Sequence, residues 1–111
     1  MDDSRTTVME LRDAFRAFVK ARRWEAAHSP KNLAMCIAIE AAELMEIFQW
    51  SSVEEASKVA STPEFGHVKE ELADVLIYCL SMANQLDIDI SSAIEDKMAK
   101  NAKKYPPKQA R

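Results

Sequence analysis

An all-α fold, an antiparallel four-helix bundle with one additional short helix, is predicted by three features of this 111-residue sequence. Apolar residues recur at helical spacing along most of the chain, capping residues stand where those patterns begin, and a single glycine with four prolines leaves few breaks. Nearly half the residues are apolar and 30% are charged, a globular helical composition and not a disordered or fibrous one. Residues 1–111 are read as one domain, because the chain is too short for two independent cores. The first few residues and residues 106–111 are expected to be flexible.

Val8, Leu11, Phe15 and Phe18 mark one face of a first helix that runs to about Arg22, with Arg12, Arg16 and Lys20 elsewhere on the wheel. Ser29-Pro30 reads as an N-cap followed by proline at the first helical position, and the pattern then continues without a breaker to Trp50. Ser51-Ser52-Val53-Glu54-Glu55 offers a capping box in either of two registers for a short third helix ending before Thr62-Pro63, with Gly66 in the connection. Helical periodicity returns from His67 to about Leu86. A last helix runs from near Ser91 to Lys104 and is halted by Pro106-Pro107. No internal repeat or low-complexity segment interrupts this plan.

Several function classes are excluded at this level. Cys36 and Cys79 lie inside apolar helical patterns and not at loop spacings, which argues against a disulfide framework or zinc site and for thiols kept reduced in a cytosol. The N-terminus has no apolar core and no stretch reaches the roughly 18 apolar residues of a membrane span, so a cytoplasmic protein with no membrane partner is expected. A net charge of −3 argues against nucleic acid as the partner.

The feature that calls for chemistry is a set of carboxylates on apolar faces. At about 100° per residue, Leu33, Ile37, Leu44 and Ile47 fall within about 60° of Glu40, so Glu40 lies along the middle of its apolar stripe and Glu43 is displaced to one side. Val68, Val75, Tyr78 and Met82 bear the same relation to Glu71, with Asp74 displaced to the same side. If the two stripes face each other, four carboxylates converge in a partly desolvated spot, where each like-charge contact at about 4 Å costs on the order of 4 kcal/mol. Local pairing is no remedy, since no basic residue occurs between Asn32 and Ser57 against five glutamates. Oxygen-only ligands suit a hard cation, Mg²⁺ with Mn²⁺ as a possible substitute. The bland alternative is a solvated acidic edge, the reading kept for Glu46 and Glu70. A ferritin-like di-iron bundle would need a Glu-x-x-His on each of two helices; Glu25-Ala26-Ala27-His28 and Glu64-Phe65-Gly66-His67 have that spacing but fall in the connections before the predicted helices and not within them.

Glu40-Ala41-Ala42-Glu43 followed by Glu71-Leu72-Ala73-Asp74 resembles the E-x-x-E…E-x-x-D signature of the all-α nucleoside triphosphate pyrophosphohydrolases, the MazG-like superfamily. Arg23-Trp24, His28-Ser29-Pro30-Lys31-Asn32-Leu33, Phe48-Gln49-Trp50, Val75-Leu76-Ile77-Tyr78 and Lys97…Asn101…Lys104-Tyr105-Pro106 extend the resemblance toward the dCTP pyrophosphatase branch over roughly residues 8–107. The resemblance implies Mg²⁺-dependent hydrolysis of a nucleoside triphosphate, dCTP or a modified dCTP, to the monophosphate and pyrophosphate, in cleansing of the nucleotide pool. It also implies a homodimer or homotetramer that completes each pocket. By motif position Glu40, Glu43, Glu71 and Asp74 would be the metal ligands, Trp24, His28, Trp50 and Tyr78 would line the nucleotide pocket, and Asn101, Lys104 and Tyr105 would face the phosphates. Departures from the pattern are Arg23 in place of an acidic residue, the small Glu25-Ala26-Ala27 segment, which bears on base preference, and Ala42 in place of a glycine.

Read from the residues themselves, Lys97, Asn101 and Lys104 form one row of donors on the last helix, able to face phosphates or to remain a solvated face that suits the helix dipole. Trp24 and Trp50 flank the carboxylate helix and could sandwich a base or serve as ordinary packing. Glu43 is the expected proton acceptor. Hydrolases of dUTP or dITP, a phosphoribosyl-ATP pyrophosphohydrolase, and a non-catalytic helical module that binds a partner through an amphipathic face are the competing readings.

Overall fold

A computed structural model describes residues 1–108, and every regular element among them is helical: α1 (Val8–Ala21), α2 (Pro30–Glu46), α3 (Val53–Ser57), α4 (Phe65–Gln85) and α5 (Ile90–Lys104). Single 3₁₀ turns, Glu25–Ala27 and Val59–Ser61, sit in the connections before α2 and after α3. Four long helices and one short one are the predicted all-α plan. Part of the expected flexible tail, residues 109–111, lies outside the described residues.

Local chemistry accounts for most boundaries. Thr7 and Glu10 cap α1 reciprocally, Ser29 accepts from the Asn32 amide ahead of Pro30, and Asp89 accepts from the Ser92 amide to start α5. Of the two capping-box registers open to α3, the one used pairs Ser52 with Glu55. Two boundaries differ from expectation. Helix α2 ends at Glu46, because the Phe48 and Ser51 amides donate to Met45 and Phe48 carbonyls three residues back and tighten the chain into turns before Trp50. Helix α4 starts at Phe65, so Gly66 belongs to its first turn, where its amide needs no intrahelical acceptor.

The principal packing is α2 against α4, and α1 lies along α4. Glu40 of α2 faces Glu71 and Asp74 of α4 while Cys36 approaches Tyr78, an antiparallel register. The core within one chain is thin: Leu33 is fully buried, with Val19 and Ala83 close behind. Arg12 is also buried and takes the place of a capping group for α4. Its guanidinium donates to the Ala83 carbonyl (3.2 Å), the Ile88 carbonyl (2.7 Å) and Asn84 Oδ1 (3.0 Å), while Asn84 Nδ2 donates back to the Arg12 carbonyl (3.2 Å). A cation at a helix C-terminus meets carbonyls that lack intrahelical donors and the negative end of the helix dipole.

Helix α5 is the exception to close packing. Its residues 91–100 are all exposed, including Ile94 and Met98 on its apolar side. The accessible surface of 9053 Å² compares with about 6,200 Å² for a compact monomer of this mass. The radius of gyration is 17.1 Å, where a compact chain of this length has about 13 Å.

Candidate functional site

The α2–α4 contact brings together three of the four carboxylates expected to converge. One carboxylate oxygen from each of Glu40, Glu43 and Glu71 lies within 4.8 Å of the others, with Glu40 and Glu71 half-buried and Glu43 at the surface. Asp74 is half-buried beside them and acts on Glu40 through its charge, although it stands outside that group of three. Glu40 Oε2 and Glu71 Oε2 are buried without a hydrogen-bond partner. Such orphaned oxygens cost free energy in a water-poor site and imply a missing partner.

Electrostatics lead to the same conclusion. The Glu40 carboxyl is pushed up from 4.5 to about 7, first by burial, then by the close approach of Glu43, by repulsion from Glu43 and Asp74, and by the proximity of Glu71. Tyr78, one turn beyond Asp74, is raised as well, by burial first and then by Cys36, Glu40, Asp74 and Glu43. Among the described residues no lysine or arginine pairs with any of the four carboxylates, and the basic contact made is His67 Nε2 at 3.3 Å from Glu71 Oε1. Oxygen donors, two of them buried and unpartnered, converging without a counter-charge are a donor set that fits a hard divalent cation.

Toward the C-terminal end of α4 lies space for an organic group. His28 is buried with its ring 6.1 Å from Phe15 and 6.4 Å from Tyr78, so Tyr78 connects the acidic cluster to the aromatic side of α1. There a cavity of about 370 Å³ opens between α1, the turn at Glu25 and α4, lined by Phe15, Val19, His28, Ser81 and Asn84 among others. Phe15, Ser81 and Asn84 escaped the reading of the sequence, which had no means of bringing the α1 face to the last turns of α4.

The remaining expected site residues are not gathered by one chain. Trp24 packs edge-on against Phe18 at 5.7 Å and is 47% exposed, whereas Trp50 is 90% exposed. The 17 residues of α2, about 25 Å of helix, lie between the two tryptophans. Lys97 and Lys104 are exposed on α5, Asn101 is half-buried, and the Lys104 ammonium sits 5.3 Å from the Tyr105 ring centroid.

Comparison with known proteins identifies this arrangement. The sequence matches the MazG-like family over residues 35–111, which includes both acidic pairs. The chain belongs to that family. It is 36% identical over 106 residues to dCTP pyrophosphatase 1 of Homo sapiens, covering 95% of this chain and 62% of that protein. With dCTP pyrophosphatase 1 of Mus musculus the identity is 38% over 101 residues, covering 90% of this chain and 59% of the relative. This MazG-like chain therefore spans about three fifths of the length of the curated relatives it matches. The crystal structure of a pyrophosphatase from Archaeoglobus fulgidus superposes with a TM-score of 0.85 at 44% identity, covering 96% of this chain and 99% of that one.

Proposed function

We propose that this MazG-like chain is a Mg²⁺-dependent nucleoside triphosphate pyrophosphohydrolase, with Mn²⁺ a possible substitute, that releases pyrophosphate and the nucleoside monophosphate. The observation that carries this reading is the convergence of Glu40, Glu43 and Glu71 within 4.8 Å with two buried oxygens left unpartnered. Glu40, Glu43, Glu71 and Asp74 would hold the metal. Bound there, it would supply neutralisation of phosphate charge and acidification of a water. Glu43, the exposed member, is the carboxylate placed to accept that water's proton. The names and coverage of the dCTP pyrophosphatase relatives support dCTP or a modified dCTP as substrate, and cleansing of a cytoplasmic nucleotide pool as the role.

The cavity between α1 and α4 is the place for the base, with His28 at its wall and Tyr78 between it and the carboxylates. Trp24 and Trp50 are too far apart along α2 to stack on one base within a chain, so a sandwich would draw its second ring from another copy. The same holds for Lys97, Asn101, Lys104 and Tyr105, the residues assigned to the phosphates, which ride on a helix barely packed on its own chain. The exposed surface supports a homodimer or homotetramer. Met35 and Ile39 of α2, Leu72 and Leu76 of α4, and Ile94 and Met98 of α5 are each 47% to 65% exposed. The excess of about 2,900 Å² over a compact monomer falls in the range that obligate interfaces cover. Sedimentation at micromolar concentration showing only a 12.5 kDa species would refute the assembly.

Incubation with a panel of canonical and base-modified deoxynucleoside triphosphates, with and without Mg²⁺, tests the reaction. Metal-dependent monophosphate and pyrophosphate, lost in Glu40→Ala, are expected, with dCTP or a modified dCTP turned over fastest. Diphosphate and phosphate would place the attack on the wrong phosphorus, and no turnover of any nucleotide would overturn the reading.

A further inference from the structure

We propose that His67 is a positioning residue of the metal site, holding the Glu71 carboxylate turned inward through a contact from its Nε2. This rests on the metal-site reading above and extends it to a residue outside the acidic motif. His67 stands in the first turn of α4, one turn before Glu71, and its two ring nitrogens face two carboxylates: Nε2 is 3.3 Å from Glu71 Oε1 and Nδ1 is 3.5 Å from Glu64 Oε2. In this role a ring N–H stands on Nε2, toward the nearer of the two carboxylates. Glu64, at the residue before α4, lies beside the opposite edge of the ring. The three side chains form a row along the first two turns of the helix.

The two oxygens of Glu71 have different surroundings, and that difference gives the row its effect. Oε2 is buried without a hydrogen-bond partner, whereas Oε1 is on the side of His67. The Glu71 side chain is 12% exposed and His67 is 51% exposed, so the contact joins a largely buried carboxylate to a ring at the surface. Three rotatable bonds would otherwise let the glutamate swing toward water and away from two like charges. A donor on its outer oxygen opposes that swing and leaves the inner oxygen for the cation. Hydrogen-bonded partners of ligating groups act in this way, and their loss typically weakens metal binding by about 10–100-fold.

The ordinary role of such a residue is a solvated pair spaced by one helical turn, which affects helix stability by a few tenths of a kcal/mol and metal affinity not at all. The two roles are separated by measuring Mn²⁺ binding to the nucleotide-free protein, by titration calorimetry or from the resonance of free Mn²⁺. The comparison is between wild type, Glu40→Ala, His67→Ala and His67→Gln, since glutamine can present an N–H near the position of Nε2. His67→Ala is expected to bind about 10-fold more weakly and His67→Gln within about 2-fold of wild type, with metal-free melting temperatures of both unchanged. Wild-type affinity in His67→Ala, or an equal loss in both His67 variants, would overturn the positioning role while leaving the metal site standing. Absence of Mn²⁺ binding by the wild type, or full binding by Glu40→Ala, would overturn the metal-site reading instead.

Discussion

Replacing Glu40 by glutamine should stabilise the metal-free protein while removing the proposed metal-dependent activity. The Glu40 carboxyl is pushed up to about 7 in the folded chain from 4.5, chiefly by burial and then by Glu43, Asp74 and Glu71. The folded state thus holds this proton more tightly than the unfolded one. The stability it contributes is fully present below pH about 4.5 and is lost as pH rises through about 7. At about 1.4 kcal/mol per pH unit, the loss on going to pH 8 has a ceiling of about 3 kcal/mol, and partial solvent access lowers it to about 1–2 kcal/mol. Glutamine has no charge to desolvate, so Glu40→Gln should melt roughly 5–10 °C above wild type at pH 8 in a chelating buffer, the gap closing toward pH 4.5. Added Mg²⁺ should raise the melting temperature of wild type and not of the variant, both scanned at one protein concentration so that assembly does not intrude. Equal melting temperatures at pH 8, or a gap that does not change with pH, would refute the claim that Glu40 is held ionised at a cost that only a cation offsets.

Glu43→Gln should lower kcat by about 10²–10⁴-fold while leaving the melting profile close to wild type, as expected for a surface carboxylate that accepts a proton; steady-state pyrophosphate release measures it. Arg12→Ala leaves Ala83, Ile88 and Asn84 acceptors unpaired in a buried place and should cost about 2–4 kcal/mol in urea denaturation, with Mn²⁺ affinity preserved because the network lies at the opposite end of α4 from Glu71. Trp50→Ala removes a side chain that is 90% exposed in one chain, so it should not change metal affinity. If Trp50 stacks on a base from a second copy, KM should rise by roughly 5–150-fold, the equivalent of about 1–3 kcal/mol.

Much of the fold was legible because periodicity and capping agree along most of the chain. Helices α1, α4 and α5 begin and end within two residues of where their apolar faces and caps place them. The end of α2 was not legible, since Ile47-Phe48-Gln49-Trp50 continues an apolar pattern and contains no breaker; the 3₁₀-type bonds that stop it depend on backbone geometry that composition does not encode. The acidic site was legible for a physical reason. A carboxylate in the middle of an apolar stripe violates the burial rule for its residue type, and two such violations on helices able to face each other fix a point of convergence. Arg12 gave no such signal. It occupies a place on the α1 wheel that suits a solvated cation, and the carbonyls that bury it come from 71 and 76 residues away in sequence. His67 was visible one turn before Glu71, but it was weighed only as a di-iron ligand and set aside. Its contact with Glu71 needs no special fold beyond a continuous helix from Phe65.

The contrast between the two kinds of site residue has a structural cause. The carboxylates sit on α2 and α4, the helices that pack most extensively, so a single chain is sufficient to converge them. Trp50, Lys97, Lys104 and Tyr105 sit where the chain packs least, and each remains exposed. On the proposed function a triphosphate would need both sets at once, metal ligands for its charge and donors and rings around its phosphates and base. Within one chain the second set has no surface to close upon, while Met35, Ile39, Leu72 and Leu76 leave apolar area uncovered on the same helices that carry the first. One event, the docking of another copy on α2 and α4, would cover that area and give α5 and Trp50 a neighbour. Assembly and completion of the nucleotide pocket are therefore expected to be linked. Substitutions of charged residues at Ile39 or Leu76 should reduce turnover in proportion to the fraction of protein dissociated, with Mn²⁺ binding to the carboxylates retained in the isolated subunit.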